Sequence, residues 1–368
     1  MKEYFKDNLH TINTEERNIS PDPKFIILRL GLKNYYETFK PFNAKSKFYY
    51  FEGQNSEKLD IVIDHEYIAT SHSSIMFIHQ FFEQYISQIL FDVNPILLHG
   101  KFGKDLDLVN ALANDLSEIP TSANSVGYSI QLERIMSLIE RFSEFSTEFK
   151  VPTKYHFLQN HREALTELSH QRNEIIHAGD KILAKYAYEL LMIKYIIPLI
   201  RAVLKNEKKM SYLDRNTACE VNVLCELSKM KLHENYLANL DLAQKNLKKI
   251  NHLKELSRAS YENPLGMFED FKSEDLPNIE KFHNAPIRKQ SIDDALLRIY
   301  SGKAYKNHTC PCCGTDTLVT FEKWQYARNN DTWVEKARCL LCTYSINRSI
   351  GEPSEFGIKC AILFERVG

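Results

Sequence analysis

Ser74-Ile75-Met76-Phe77-Ile78-His79-Gln80-Phe81-Phe82-Glu83-Gln84-Tyr85-Ile86-Ser87-Gln88-Ile89 is the stretch that decides the fold class. Ile75, Ile78, Phe82, Ile86 and Ile89 recur three or four residues apart, which gathers them on one stripe of an α-helix. Ser73 or Ser74 is placed to cap that helix, and Asn94-Pro95 to end it. So apolar a stripe needs partner helices to cover it.

The same period continues downstream. Leu106, Val109, Leu112 and Leu116 mark a short second helix closed by Pro120. Leu132, Ile135, Ile139 and Phe142 mark a third, over 128–149. Val151-Pro152-Thr153 separates it from a fourth, where Leu158, Leu165, Leu168 and Ile175 or Ile176 lead to Gly179, a natural stop. Asp180 is placed to cap a fifth that runs to about Asn206, with a kink at Pro198. Helices joined by short loops predict an antiparallel bundle over 65–206.

The flanks read differently. Residues 1–64 form a small mixed region: an apolar run, Phe25 to Leu32, precedes Phe48-Tyr49-Tyr50-Phe51 and Leu59-Asp60-Ile61-Val62-Ile63-Asp64, which predict a hairpin around Gly53-Gln54-Asn55. Residues 207–302 read as a helical extension and linker. Leu240, Leu247, Ile250 and Leu253 lie on a helix loaded with Lys245, Lys248, Lys249, Lys254 and Arg258. Pro264, Gly266, Pro277 and Pro286 mark a linker, and a short helix is expected from Ser291.

Composition excludes several classes of function. Lys+Arg is 47 and Asp+Glu 48 in 368 residues, so any nucleic-acid contact must come from local patches rather than global charge. The first residues carry no apolar core of signal-peptide length, and no apolar run reaches spanning length. The richest, around Leu190 to Leu204, contains Lys194, Pro198 and Arg201. The expectation is a cytoplasmic protein with no membrane partner.

Near the C-terminus, His308-Thr309-Cys310-Pro311-Cys312-Cys313-Gly314 is followed by Arg338-Cys339-Leu340-Leu341-Cys342. Cys310 with Cys313, and Cys339 with Cys342, have the spacing by which one tight turn presents two thiolates to a tetrahedral zinc. Strands are expected at Leu318-Val319-Thr320-Phe321 and Trp333-Val334-Glu335-Lys336-Ala337, and the whole resembles a zinc ribbon over about 305–348 within a 303–368 domain. Cys312 could replace Cys313 only by tightening the spacing to one residue, so Cys313 is the expected ligand. Four cysteines leave no open position, which makes the expected zinc structural. Lys323, Arg328, Lys336, Arg338 and Arg348 lie beside Trp324, Tyr326, Trp333 and Tyr344, a mixture that suits nucleic-acid contact or an ordinary small-domain surface.

Arg172-Asn173-Glu174-Ile175-Ile176-His177 ends the fourth bundle helix. Arginine offers a permanent cation with a planar fork of donors, and histidine a group that can take or give a proton near neutral pH. Five residues of helix turn through about 500°, so the two side chains stand roughly 140° apart and do not share a face. Arg172 could instead pair with Glu163, Glu167 or Glu174, and His177 could simply favour the helix C-terminus. His170 could join the site, with Glu83 and Gln84 as supporting groups.

In its bundle setting the hexapeptide resembles the R-x4-6-H motif of the HEPN superfamily, whose polar residue after the arginine is matched by Asn173. The resemblance covers about residues 65–206 and implies a mainly α fold: a HEPN-like helical bundle with a small mixed N-terminal region and a C-terminal β-rich zinc ribbon. It also implies a metal-independent endoribonuclease with catalytic Arg172, His177 and Asn173, pooled by a homodimer through the motif helices. RNA, such as tRNA or mRNA, would be the substrate. An antitoxin or a phage-derived trigger would be a partner, as in toxin and anti-phage defence proteins. The alternative is a non-catalytic module that binds nucleic acid or a partner.

Overall fold

Helix α1 (Pro23–Glu37) starts where Asp22 accepts from the Lys24 amide at 3.2 Å and Pro23 occupies the first turn. The computed structural model describes residues 22–40, 65–98, 126–141, 149–178, 183–209, 218–262, 286–324, 332–348 and 350–367. The predicted hairpin, the short helix over 106–116, Phe142, Gly179 and Asp180 lie outside them. Within the apolar run, Phe25, Leu28, Gly31 and Leu32 form the buried face of α1, which lies along helix α2 (His65–Val93), while Ile26 and Leu30 are exposed. The two cross almost in contact, since a Cβ on Gly31 would stand 2.7 Å from Ile78 Cγ1.

Helix α2 starts eight or nine residues before the expected serine cap. The hydroxyls of Thr70 and Ser71 bond back to the carbonyls of Glu66 and Tyr67, both at 2.7 Å, and so are satisfied within a continuing helix. It ends at Val93, before Asn94-Pro95. Helix α3 is Tyr128–Glu140; Phe149, Val151 and Leu158 belong to the irregular approach and to a 3-10 segment, Thr153–His161, that runs into α4 (Arg162–Ala178). Helix α4 packs on both α2 and α3.

The segment with Pro198 is α5 (Lys185–Leu190), a π-turn (Leu191–Ile196) and α6 (Ile197–Asn206). An ideal helix would drive the proline ring into the Lys194 carbonyl. The chain widens instead, and Ile197 N–H bonds to Met192 O five residues back.

Helices α7 (Val223–Lys229), α8 (Leu240–Glu262) and α9 (Pro286–Tyr300) follow. Antiparallel strands β1 (Lys306–His308), β2 (Leu318–Trp324), β3 (Thr332–Cys339) and β4 (Ser345–Asn347) form a sheet in that order, with β5 (Arg366–Val367) beside the start of β3. The chain is therefore mainly helical with a small C-terminal antiparallel sheet. One hydrophobic core runs from Phe25 in α1 to Leu363 beyond the sheet. No described helix is long and apolar enough to cross a membrane.

Helix α8 is the hinge pin of this core. Every residue from Ile250 to Ser260 is buried, charged ones included. Lys254 meets Glu189 on α5, donates to Thr38 Oγ1 at 2.7 Å and lies 4.0 Å from the centre of the Tyr35 ring. Burial lowers its ammonium to about 8, the Glu189 charge opposing that shift. On the sheet side, Arg258 forks onto Glu255 with two 2.6 Å bonds, and Glu255 also accepts from the Ser345 amide. Removing one member of a buried pair strands the other charge. Arg258→Ala should therefore cost about 3–5 kcal/mol in a urea unfolding experiment.

His252, fully buried and 5.0 Å from the Phe356 ring, adds a pH dependence. Burial lowers its pKa to about 4, against roughly 6.5 for an unfolded imidazole. The unfolded chain thus binds the proton first as pH falls, and this contribution to stability is lost between about 6.5 and 4. In His252→Leu the urea midpoint should fall less between pH 7 and pH 5 than in the parent.

Candidate functional site

The two cysteine turns sit at the ends of β-strands. Cys310-Pro311-Cys312-Cys313 follows β1, and Cys339 closes β3 ahead of Leu340-Leu341-Cys342. In the first turn, Gly314 adopts φ 69° and donates its N–H to Cys310 O at 2.9 Å. A side chain there would also press on Ala218, whose Cβ lies 3.1 Å from an added Cβ. The second turn ends on Thr343, a non-glycine residue at φ 62°. Helix α8 holds that strained residue: Arg258 donates to its carbonyl at 2.9 Å, and its hydroxyl donates to Glu262 at 2.9 Å.

The sulfurs of Cys310, Cys313, Cys339 and Cys342 all lie within 4.8 Å of one another. Cys310 to Cys342 is 3.6 Å and Cys313 to Cys339 is 3.7 Å. A tetrahedron with metal–sulfur bonds of about 2.3 Å has edges of about 3.8 Å, so the spacing fits an ion at the centre. Burial raises the Cys310 and Cys342 thiols well above their ordinary range, whereas bonds from neighbouring thiols and Thr317 pull Cys339 down. A central cation is what would let all four ionise together. The amides of Leu341 and Cys342 approach Cys339 Sγ at 3.4 Å, and the hydroxyls of Thr315 and Thr317 link Cys313 to Cys339. These four cysteines could hold a metal ion.

Cys312 turns elsewhere: its thiol donates to Leu256 O on α8, 3.7 Å away. It fastens the turn to the helical body. Tyr344 is fully buried, which removes it from the aromatic surface its neighbours suggested. Trp333 remains there, with Arg348 4.3 Å and Arg366 6.0 Å from its ring centre. The side chains of Lys323 and Trp324, and residues Tyr326 and Arg328, lie outside the description.

On α4, Arg172 and His177 stay apart. Arg172 is half-buried, on the helix stripe of the buried Leu165 and Leu168, and its Nη1 donates to Asn173 Oδ1 at 2.9 Å. Of the glutamates expected to compete for it, Glu167 accepts from Gln171 Nε2 at 2.7 Å. His177 is exposed in the last turn, on the stripe that also carries His170 and Asn173. Glu83 is half-buried, with a carboxylate oxygen 3.9 Å from His79 Nδ1, whereas Gln84 is exposed.

Sequence reasoning missed His79. It is buried on α2 against the Tyr128 ring (4.4 Å between centres), with Nδ1 3.9 Å from Glu83. Burial, reinforced by the Arg172 charge, lowers its pKa to about 4. The available signal was a histidine four residues after Ile75, on the edge of the apolar stripe. A separate cleft of about 520 Å³, lined by Tyr186, Lys194, His233 and Asn246, lies on another part of the helical body. No family model, curated protein or solved structure matches the chain.

Cys339→Ser should abolish metal binding in elemental analysis of the purified protein and lower its thermal midpoint. Cys312→Ala should keep the full metal content, since its sulfur faces Leu256; loss of metal there would place Cys312 among the ligands.

Proposed function

We propose that this chain is a HEPN-type, metal-independent endoribonuclease that works as a homodimer, with a structural zinc in its C-terminal ribbon. The supporting observation is the two-sided placement of the motif on α4. Arg172 is anchored at the bundle and presents its Nη1 side to Asn173, while His177 stands free in solvent. Ile176, 45 % exposed, falls between Arg172 and Asn173 around the helix and offers apolar surface for a second copy. A two-fold axis along this face would bring each arginine to the other chain's histidine.

The chemistry follows from those groups. His177 takes the proton from the ribose 2′-hydroxyl, whose oxygen attacks phosphorus. Arg172 stabilises the charge that grows on the non-bridging oxygens, and Asn173 holds the guanidinium. The bond to the 5′-oxygen breaks, and His177 of the partner subunit protonates the leaving group. The products are a 2′,3′-cyclic phosphate and a 5′-hydroxyl. DNA lacks the nucleophile and is not cut. The tetrahedral cysteine site fits zinc by its donor set and sulfur spacing, and a closed four-thiolate site serves folding rather than catalysis. A toxin or anti-phage role rests on the family resemblance alone.

A second reading is favoured by Trp333 between two arginines: the ribbon binds RNA and the bundle is a non-catalytic dimerisation module. One experiment separates the two. RNA is incubated with the protein in EDTA, its metal content checked afterwards, beside Arg172→Ala and His177→Ala. Each substitution should lower cleavage by about 100-fold or more. Intact RNA with the parent protein, or equal cleavage by the variants, overturns the nuclease reading.

A further inference from the structure

Three buried polar atoms on the mutually packed helices α2, α3 and α4 have no hydrogen-bond partner among the described residues: His79 Nε2, Tyr128 Oη and Arg172 Nε. His79 and Tyr128 are 4 % and 6 % exposed. A buried polar group left unpaired costs roughly 1–3 kcal/mol, so each calls for a specific account.

Their chemistry is complementary. The Glu83 carboxylate, 3.9 Å from His79 Nδ1, favours the tautomer with its proton on Nδ1, which leaves Nε2 as an acceptor. The imidazole is neutral near pH 7, because burial and the Arg172 charge lower its pKa to about 4. Arg172 already uses Nη1 on Asn173, so its buried Nε–H is a donor in need of an acceptor. The Tyr128 ring, 4.4 Å from the imidazole and tilted by 55°, fixes the plane in which Nε2 presents its lone pair.

We infer that Glu83, His79 and Arg172 form a carboxylate–imidazole–guanidinium relay, in which His79 is a positioning residue that accepts from Arg172 Nε–H through one bridging water, and so aims the guanidinium at a bound phosphodiester. Its catalytic consequence rests on the ribonuclease reading; the hydrogen bond itself does not. The relay leaves Nη2 for a phosphate oxygen. Holding the fork from its inner edge reduces the entropy lost on binding the transition state.

The test compares two substitutions. His79→Phe keeps the ring against Tyr128 and removes both nitrogens, and His79→Gln restores a polar group of similar reach. In His79→Phe, kcat on RNA should fall about 10- to 100-fold while KM moves by less than about 2-fold. Its urea midpoint should fall modestly, because Arg172 Nε–H loses its acceptor, so both variants are assayed well below that midpoint. His79→Gln should recover most of kcat. A purely structural histidine would give the opposite ranking, with His79→Phe fully active, and that result overturns the relay.

A second readout needs no activity. In protein labelled with ¹⁵N-arginine, the Arg172 Nε–H resonance, identified by its loss in Arg172→Lys, should exchange slowly with water. In His79→Phe it should exchange at least about 10-fold faster as the acceptor is lost. If no form of the protein cuts RNA, the ribonuclease reading falls and this resonance still decides the relay. An exchange rate unchanged in His79→Phe overturns it.

Discussion

The constraint on which the rest depends is the burial of charge on α8. Lys254, Glu255 and Arg258 are removed from water within five residues of one helix, and each needs a partner in a fixed direction. Lys254 points toward α1 and α5, where Glu189, Thr38 and the Tyr35 ring receive it. Glu255 and Arg258 point toward the sheet, where the Ser345 amide and Thr343 complete their hydrogen bonds. A slip of one residue would rotate these side chains by about 100° and leave all three charges unpaired. The polar matches therefore set a register that apolar packing alone would leave loose.

That register ties the cysteine site to the helical body. Thr343 takes a left-handed conformation just after the last ligand, and the groups that hold it there are Arg258 and Glu262. The first turn is fixed in parallel: the amides of Ala218 and Cys219 donate to the carbonyls of Cys312 and Pro311, both at 3.0 Å, and the Cys312 thiol reaches α8. A metal ion at the four sulfurs would thus brace the groups that neutralise α8, and α8 in turn holds open the turns that the ion requires.

Much of this was legible in the sequence where the signal is local. The Ile75 to Ile89 stripe gave α2, and Asn94-Pro95 its end. Two-residue spacing picked out four cysteines whose sulfurs do converge. Helix arithmetic alone separated Arg172 from His177. What could not be read was burial decided by distant partners. Lys254 and Arg258 look like solvent-facing charges until Glu189, 65 residues before Lys254, and Thr343, 85 residues after Arg258, are placed beside them. Ser73 and Ser74 look like caps, because nothing local reveals that Thr70 and Ser71 bond back into the preceding turn. Cys312 and Cys313 differ only in which way a turn faces once it is pressed against Leu256. The sequence also carries no mark that His79 meets Tyr128, since that contact depends on how α2 crosses α3.

The two faces of α4 make opposite physical demands. A guanidinium that stabilises charge gains from being held still, because every rotamer lost before the reaction is one not lost during it. Arg172 sits on the side of α4 that carries Leu165 and Leu168, with its Nε buried, where neighbouring helices can hold it. A histidine that moves a proton must reach a hydroxyl that arrives from solvent, and His177 lies in the exposed last turn where reach costs nothing in packing. One helix meets both demands only by placing the two groups on different faces. On the proposed ribonuclease reading a two-fold partner would rejoin them, and the exposed Ile176 between those faces is where that partner would bury apolar area.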